Sequence, residues 1–149
     1  MPNLARLAAA LGPDAPFPWM PVGPGLSSKP LAFFPDKAGW AVLLKVEPGT
    51  RIGRHRHFGE VHGFVLSGRR RLGDGRILGP GDFDYEPAGQ IDQWSVEGDA
   101  PLVSFFVVRG PVEYLDEFGR VMSRDTASAK AETYRRFCAG NGLVPTALG

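Results

Sequence analysis

Between Leu31 and Arg109 the chain is written in short β-prone runs, each closed by a glycine- or proline-bearing turn. The runs are Leu31–Phe34, Gly39–Val46, Glu60–Ser67, Arg70–Leu72, Arg76–Leu78, Phe83–Glu86, Ile91–Val96 and Leu102–Arg109. Between them stand Glu47-Pro-Gly49, Gly73-Asp-Gly75, Gly79-Pro-Gly-Asp82, Pro87-Ala-Gly89 and Glu97-Gly-Asp-Ala-Pro101. Strands this short, recurring this often, predict an all-β antiparallel sandwich or barrel. Gly73-Asp-Gly75 suits a hairpin because glycine tolerates positive φ. In Gly39–Val46 the positions of Trp40, Val42, Leu44 and Val46 alternate with Ala41, Leu43 and Lys45, so the Trp40 side is expected inward.

The flanks differ. Eight prolines lie in the first 35 residues, and residues 12–30 read as an extended arm with Phe17, Trp19, Met20 and Leu26 to bury. Before it, residues 3–11 are mildly amphipathic. Val112–Val121 reads as a further hairpin turning near Asp116-Glu-Phe-Gly119. Ser128–Ala139 reads as a helix, with Asp125 or Ser128 as N-cap, Gly140 as stop, and Tyr134, Phe137, Cys138 and Ala131 as its buried stripe. The expected organisation is one domain: an N-terminal helix and extended arm over 1–30, a β-barrel over 31–121, and a C-terminal helix and tail over 122–149.

All three histidines fall in one window, His55-Arg-His57-Phe-Gly-Glu60-Val-His62. His55 and His57 are two apart, so on a strand both imidazoles share a face and can hold one ion. His62 lies five from His57, which turns it to the other face unless a bulge at Gly59 reverses the parity. Composition excludes other classes. A formal charge of +1 lacks the basic excess of a nucleic-acid-binding surface. Its one dense basic run, Arg69-Arg70-Arg71, reads as a solvated strand edge. No apolar stretch is long enough to span a bilayer. One cysteine, Cys138, permits no internal disulfide. The expected setting is therefore cytoplasmic, without nucleic-acid or membrane partners.

Two spacings carry a family likeness: Gly49-x5-His55-x-His57-x3-Val61-x6-Gly68 and Gly81-x5-Pro87-x-Gly89-x2-Asp92. They resemble the paired motifs of the cupin superfamily, the RmlC-like jelly-roll barrel. The resemblance implies such a barrel here, with the proline-rich arm before it and the helix after it. Two positions depart from the cupin pattern, which has glutamate at Val61 and histidine at Asp92. Arg54-His-Arg-His57-x-Gly59, Ser67-Gly68, Glu86-Pro-Ala-Gly89, Tyr114-Leu-Asp-Glu117 and the helix with Tyr134 and Cys138 resemble the dihydroxyacetophenone dioxygenase-like cupins. That group and the related acetylacetone-cleaving cupins use a three-histidine iron site to insert O2 into a carbon–carbon bond beside a ketone.

The resemblance implies His55 and His57 as metal ligands and leaves the third open, since position 92 is aspartate. Asp92 would complete a two-histidine, one-carboxylate set of the kind non-haem iron(II) sites use. Glu60 and His62 are the alternatives. If Asp92 faces inward, so do Gln90 and Trp94. Gln90 would then bond a substrate carbonyl, and Trp94 would either stack on substrate or fill the barrel. The expected cofactor is Fe(II), with Zn, Mn or Ni as alternatives. The expected partners are a small hydroxyketone or diketone, O2 and a second copy of the chain in a homodimer. A non-oxidative isomerase or lyase and a non-catalytic ligand-binding cupin are the competing readings. Trp40, Phe64, Phe83, Phe105 and Phe106 are expected in the core.

Overall fold

Alternation of inward and outward side chains governs the architecture that a computed structural model gives for residues 17–36 and 38–147. Twelve strands are present among these residues: β1 Met20–Gly23, β2 Leu26–Phe33, β3 Gly39–Val46, β4 Arg51–His57, β5 Val61–Ser67 and β6 Arg69–Leu72; then β7 Ile77–Leu78, β8 Phe83–Glu86, β9 Ile91–Glu97, β10 Leu102–Arg109, β11 Val112–Leu115 and β12 Val121–Asp125. One helix, α1, follows over Ala127–Gly140. The strands form two antiparallel sheets, ordered β1-β2-β3-β10-β5-β8 and β12-β11-β4-β9-β6-β7. They face each other as a jelly roll, and Trp40, Val42, Val61, Val65, Leu102 and Phe106 pack in the core between them. No helix among the described residues is long and apolar enough to cross a membrane.

Among the described residues of the segment read as an extended arm, 17–30, most are sheet. Met20–Gly23 and Leu26–Phe33 pair with each other, and β2 goes on to pair with β3. Pro30 does not prevent this. Pairing with β1 ends at Met20–Ser28, so β2 is an edge where Pro30 falls, and a bulge follows between Pro30 and Ala32. A proline at an unpaired edge leaves no ladder hydrogen bond unmade. The amphipathic stretch at residues 3–11 lies outside the described residues.

Two other expectations change. Phe64 and Phe83 are outside the barrel, 39% and 60% exposed, and face each other across β5 and β8. Their parity sends Gly63 and Asp84 inward instead. On the buried side of β3, both faces rather than one are covered, with Leu43 and Ala41 as buried as Trp40.

The tail follows its local chemistry. Asp116 Oδ1 accepts from the backbone N–H groups of Phe118 (2.9 Å) and Arg120 (2.8 Å), closing the β11–β12 hairpin where it was expected. Thr126, not Asp125 or Ser128, caps α1: its hydroxyl accepts from Ala129 N at 3.1 Å. Thr126→Ala is expected to cost about 1 kcal/mol in chemical denaturation. Thr126→Ser, which keeps the acceptor, should cost far less. Tyr134 and Cys138 dock the helix, with the Tyr134 ring 5.5 Å from Phe17 and 5.7 Å from Phe33.

Candidate metal and ligand site

The two sheets enclose a cavity of about 420 Å3. Most of its wall is apolar, from Leu26, Phe33, Trp40, Ile52, Trp94 and Val108. Lys130 and Thr133 of α1 and Pro21 of β1 also reach it. Its polar wall includes His55, His57, Arg70 and Glu86, and Ser28, Tyr114 and Asp125 also line it.

His55 and His57 point inward from β4 because they are two apart on a stretch where Arg54 is exposed and Arg56 only partly buried; the register shift between Ile52 and His55 resets the parity before them. Their rings stand edge to face, 4.9 Å between centroids. His55 Nδ1 lies 2.7 Å from the Gly53 carbonyl, which can only accept. Nδ1 therefore carries the proton, and Nε2 keeps its lone pair for another partner. Burial holds the His55 pKa below the ordinary histidine value; the Gly53 bond opposes this and the neighbouring His57 adds to it.

Glu86, the last residue of β8, is buried at 5% exposure with Oε2 3.1 Å from His57 Nε2. Burial alone would raise its pKa. The hydrogen bond and charge of His57, with the Arg70 guanidinium, outweigh burial and hold it below the ordinary carboxylate range. His57 Nδ1 is buried without a hydrogen-bond partner among the described residues.

The other residues singled out from the sequence are distributed as follows. Asp92 pairs with His55 across β4 and β9, but its Oδ1 accepts from Gly73 N at 3.3 Å and it does not line the cavity. Burial raises its pKa, and the Glu86 charge adds to this. A Cβ at Gly73 would stand 2.7 Å from that oxygen, so the absence of a side chain there is what admits the carboxylate. Trp94 is in the cavity wall, its ring 6.2 Å from Phe106. Gln90 is not in the wall; its backbone carbonyl accepts from His57 N at 3.1 Å and its N–H donates to Pro87 O at 3.3 Å. His62 is on the outer face, 5.3 Å from the Tyr85 ring, and Glu60 is outside with it, near His62 Nε2 (3.4 Å) and accepting from the Tyr85 hydroxyl (3.2 Å).

Two residues of the site were not anticipated. Arg70 was expected on a solvated edge, yet β6 lies between β9 and β7, so its alternate residues alternate in burial. Arg71 pairs outside with Glu97 at 3.0 Å, while Arg70 is 1% exposed and donates from Nη2 to Asp84 Oδ2 at 3.1 Å. Glu86 was quoted only as part of a motif. A usable signal was present in Phe83-Asp-Tyr-Glu86, where apolar and acidic residues alternate and the acidic ones are the buried pair.

Among the described residues, no three His, Cys, Asp or Glu side chains already converge as a ready metal cage. The donor chemistry nonetheless fits a divalent ion. Neighbouring ligands on an octahedral ion with bonds of about 2.1 Å stand about 3 Å apart. The 3.1 Å between His57 Nε2 and Glu86 Oε2 matches that edge. His55 presents a free Nε2 whose opposite nitrogen is anchored on a carbonyl, the usual support for a metal-binding imidazole.

A jelly roll of this topology, with a paired-histidine strand facing the cavity between its sheets, defines a cupin. The chain belongs to the family described as the ChrR cupin-like domain, whose model matches residues 9–114. Its fold is similar to that of an RmlC-like cupin protein from Ralstonia eutropha (TM-score 0.81, 24% identity, covering 86% of this chain and 85% of that one). It is also similar to an acetylacetone dioxygenase from Acinetobacter johnsonii (TM-score 0.72, 15% identity, 79% and 85% covered). A third similar structure is Rhodobacter sphaeroides SigE in complex with the anti-sigma ChrR (TM-score 0.52, 21% identity, 60% and 47% covered). A comparison with curated proteins finds no match.

Proposed function

We propose that this chain is a metal-dependent cupin, a non-haem iron(II) dioxygenase that cleaves the carbon–carbon bond beside a carbonyl in a small hydroxyketone or diketone. The observation that carries the reading is a paired histidine and a buried carboxylate set into a mostly apolar cavity of about 420 Å3. His55, His57 and Glu86 would hold the ion, a two-histidine, one-carboxylate set that leaves positions open for substrate and O2. Asp92 stands behind His55 as a further carboxylate. Iron(II) bound there would supply Lewis acidity toward the substrate oxygens and redox access to O2.

The chain's own residues supply the rest. The apolar wall excludes water, so that charge on a bound enolate is felt strongly by the polar groups. The buried Trp94 ring offers a flat surface for a conjugated substrate. Gly53 fixes the His55 tautomer through its carbonyl. In the balanced reaction one carbon–carbon bond breaks, and each of its carbons takes one of the two oxygen atoms of O2.

Anaerobic loading with iron(II), followed by an oxygen electrode trace with acetylacetone and with a hydroxyacetophenone, tests this reading. Oxygen uptake equal to substrate consumed is the expected result, abolished in His57→Ala. The family match to a ChrR cupin-like domain favours a second reading, a metal- or ligand-binding cupin without turnover. Stoichiometric metal with no oxygen uptake on either substrate would select it.

A further inference from the structure

We propose that Arg70 is an anion receptor inside the cavity, taking one oxygen of a small enolate or carboxylate. The inference rests on the reading of this cavity as a ligand site and names the charge class of what it binds. Arg70 is 1% exposed and forms part of the cavity wall. Its guanidinium carbon lies 5.0 Å from the Trp94 centroid and 5.0 Å from the Phe106 centroid, so two rings from two strands fix where the group sits. Nη2 donates to Asp84, while Nε is buried without a hydrogen-bond partner among the described residues.

A guanidinium that served only to tie two sheets together would have its donors satisfied, because a buried N–H without an acceptor is costly. Here one donor on a fixed plane is left unmatched beside a cavity. The local charges leave room for an anion. Asp84 divides its attention between Arg70 and Arg76, whose Nη2 is 3.9 Å from Oδ1. Glu86 and Asp92 act on the Arg70 charge through space, but their hydrogen bonds go to His57 and to the Gly73 amide, so neither sits on Nε. Gly63 makes the arrangement possible: a Cβ there would stand 2.9 Å from Phe106 Cε1 and 3.5 Å from Arg70 Nη2. The ligand that fits is a small planar monoanion that sets one oxygen on the Nε–H of this guanidinium, a charge-assisted bond.

The probes are acetylacetonate and its non-enolising neutral relative, 3,3-dimethylpentane-2,4-dione, titrated calorimetrically into the protein before and after stripping with EDTA. The stripped protein should still prefer the anion by about tenfold or more, the effect of one hydrogen bond to a charged group. Arg70→Lys should lose roughly 10- to 100-fold in acetylacetonate affinity and change the neutral diketone by less than about twofold. Because Arg70 variants lose a buried ion pair, a second measurement uses wild-type protein: the Arg70 Nε–H resonance should move as acetylacetonate saturates the stripped site. An unmoved resonance, or equal affinity for the two diketones in stripped protein, overturns the proposal. If no metal binds yet the preference persists, Arg70 stands and the iron reading falls. If iron supports turnover without the preference, Arg70 falls alone.

Discussion

Replacing Asp84 by alanine is expected to cost about 3–5 kcal/mol of folding stability, the largest single loss short of gutting the core. The reason is what it leaves behind. The Arg70 guanidinium would remain 1% exposed, between Trp94 and Phe106, with its hydrogen-bonded carboxylate gone. Taking a charge out of water is repaid only by a partner, and here Asp84 at 3.1 Å is that partner. Burial already pulls the Arg70 pKa below its ordinary value, with Asp84 the main opposing influence. The double variant Arg70→Met, Asp84→Leu removes both charges and should recover most of the loss, since an apolar pair of similar volume often matches a buried ion pair. Urea melts of the four proteins check this. A double variant as unstable as Asp84→Ala would show that packing, not charge, sets the cost.

The second large effect is on metal. Glu86→Ala is expected to weaken binding of a divalent ion by more than the roughly 10–100-fold that outer-shell partners usually contribute. His55→Ala and His57→Ala should abolish it. Asp92→Ala should stay within about tenfold of wild type, because that carboxylate is turned to the Gly73 amide and away from the cavity wall. Elemental analysis after dialysis against a competing chelator reads all four. Metal lost from Asp92→Ala and retained by Glu86→Ala would transfer the carboxylate role from β8 to β9. His62→Ala, altered on the outer face beside Tyr85, should bind like wild type.

Much of this could be read from residue order because strand parity is a local rule. It gives the inward pair His55 and His57, the outward His62, and the inward Trp94, but not Asp92, whose carboxylate turns to the Gly73 amide. The antiparallel barrel followed from the turn rhythm, and the jelly roll from the resemblance of the glycine and proline spacing to the cupin motifs. What failed was context. Whether a strand is an edge depends on its neighbours in space, so Arg69-Arg70-Arg71 looked solvated although β6 has a strand on either side. Proline in Pro30 argued against sheet, yet β2 has lost its outer neighbour by that point. Phe64 and Phe83 looked like core on composition, because aromatic type says nothing about which face of its strand a residue occupies.

The position of Arg70 has a consequence for which mutations the barrel can accept. Along β6 the side chains read out, in, out, in, so the charge inside the barrel is chosen by counting and not by residue type. A slip of one position would turn Arg69 and Arg71 into the interior and expel Arg70 and Leu72. The strand is pinned at both ends against that. Gly68 takes φ +74, and a Cβ there would meet the Pro101 carbonyl and Leu102 Cα at 2.2 and 2.8 Å. At the other end, Leu72 closes the β6–β7 turn by donating to Arg76 O at 2.8 Å. Three consecutive arginines thus make this strand tolerant of substitution in its outward members and intolerant of insertion or deletion. A single codon gained or lost between these two anchors would bury two guanidinium groups where the barrel has an acceptor for one.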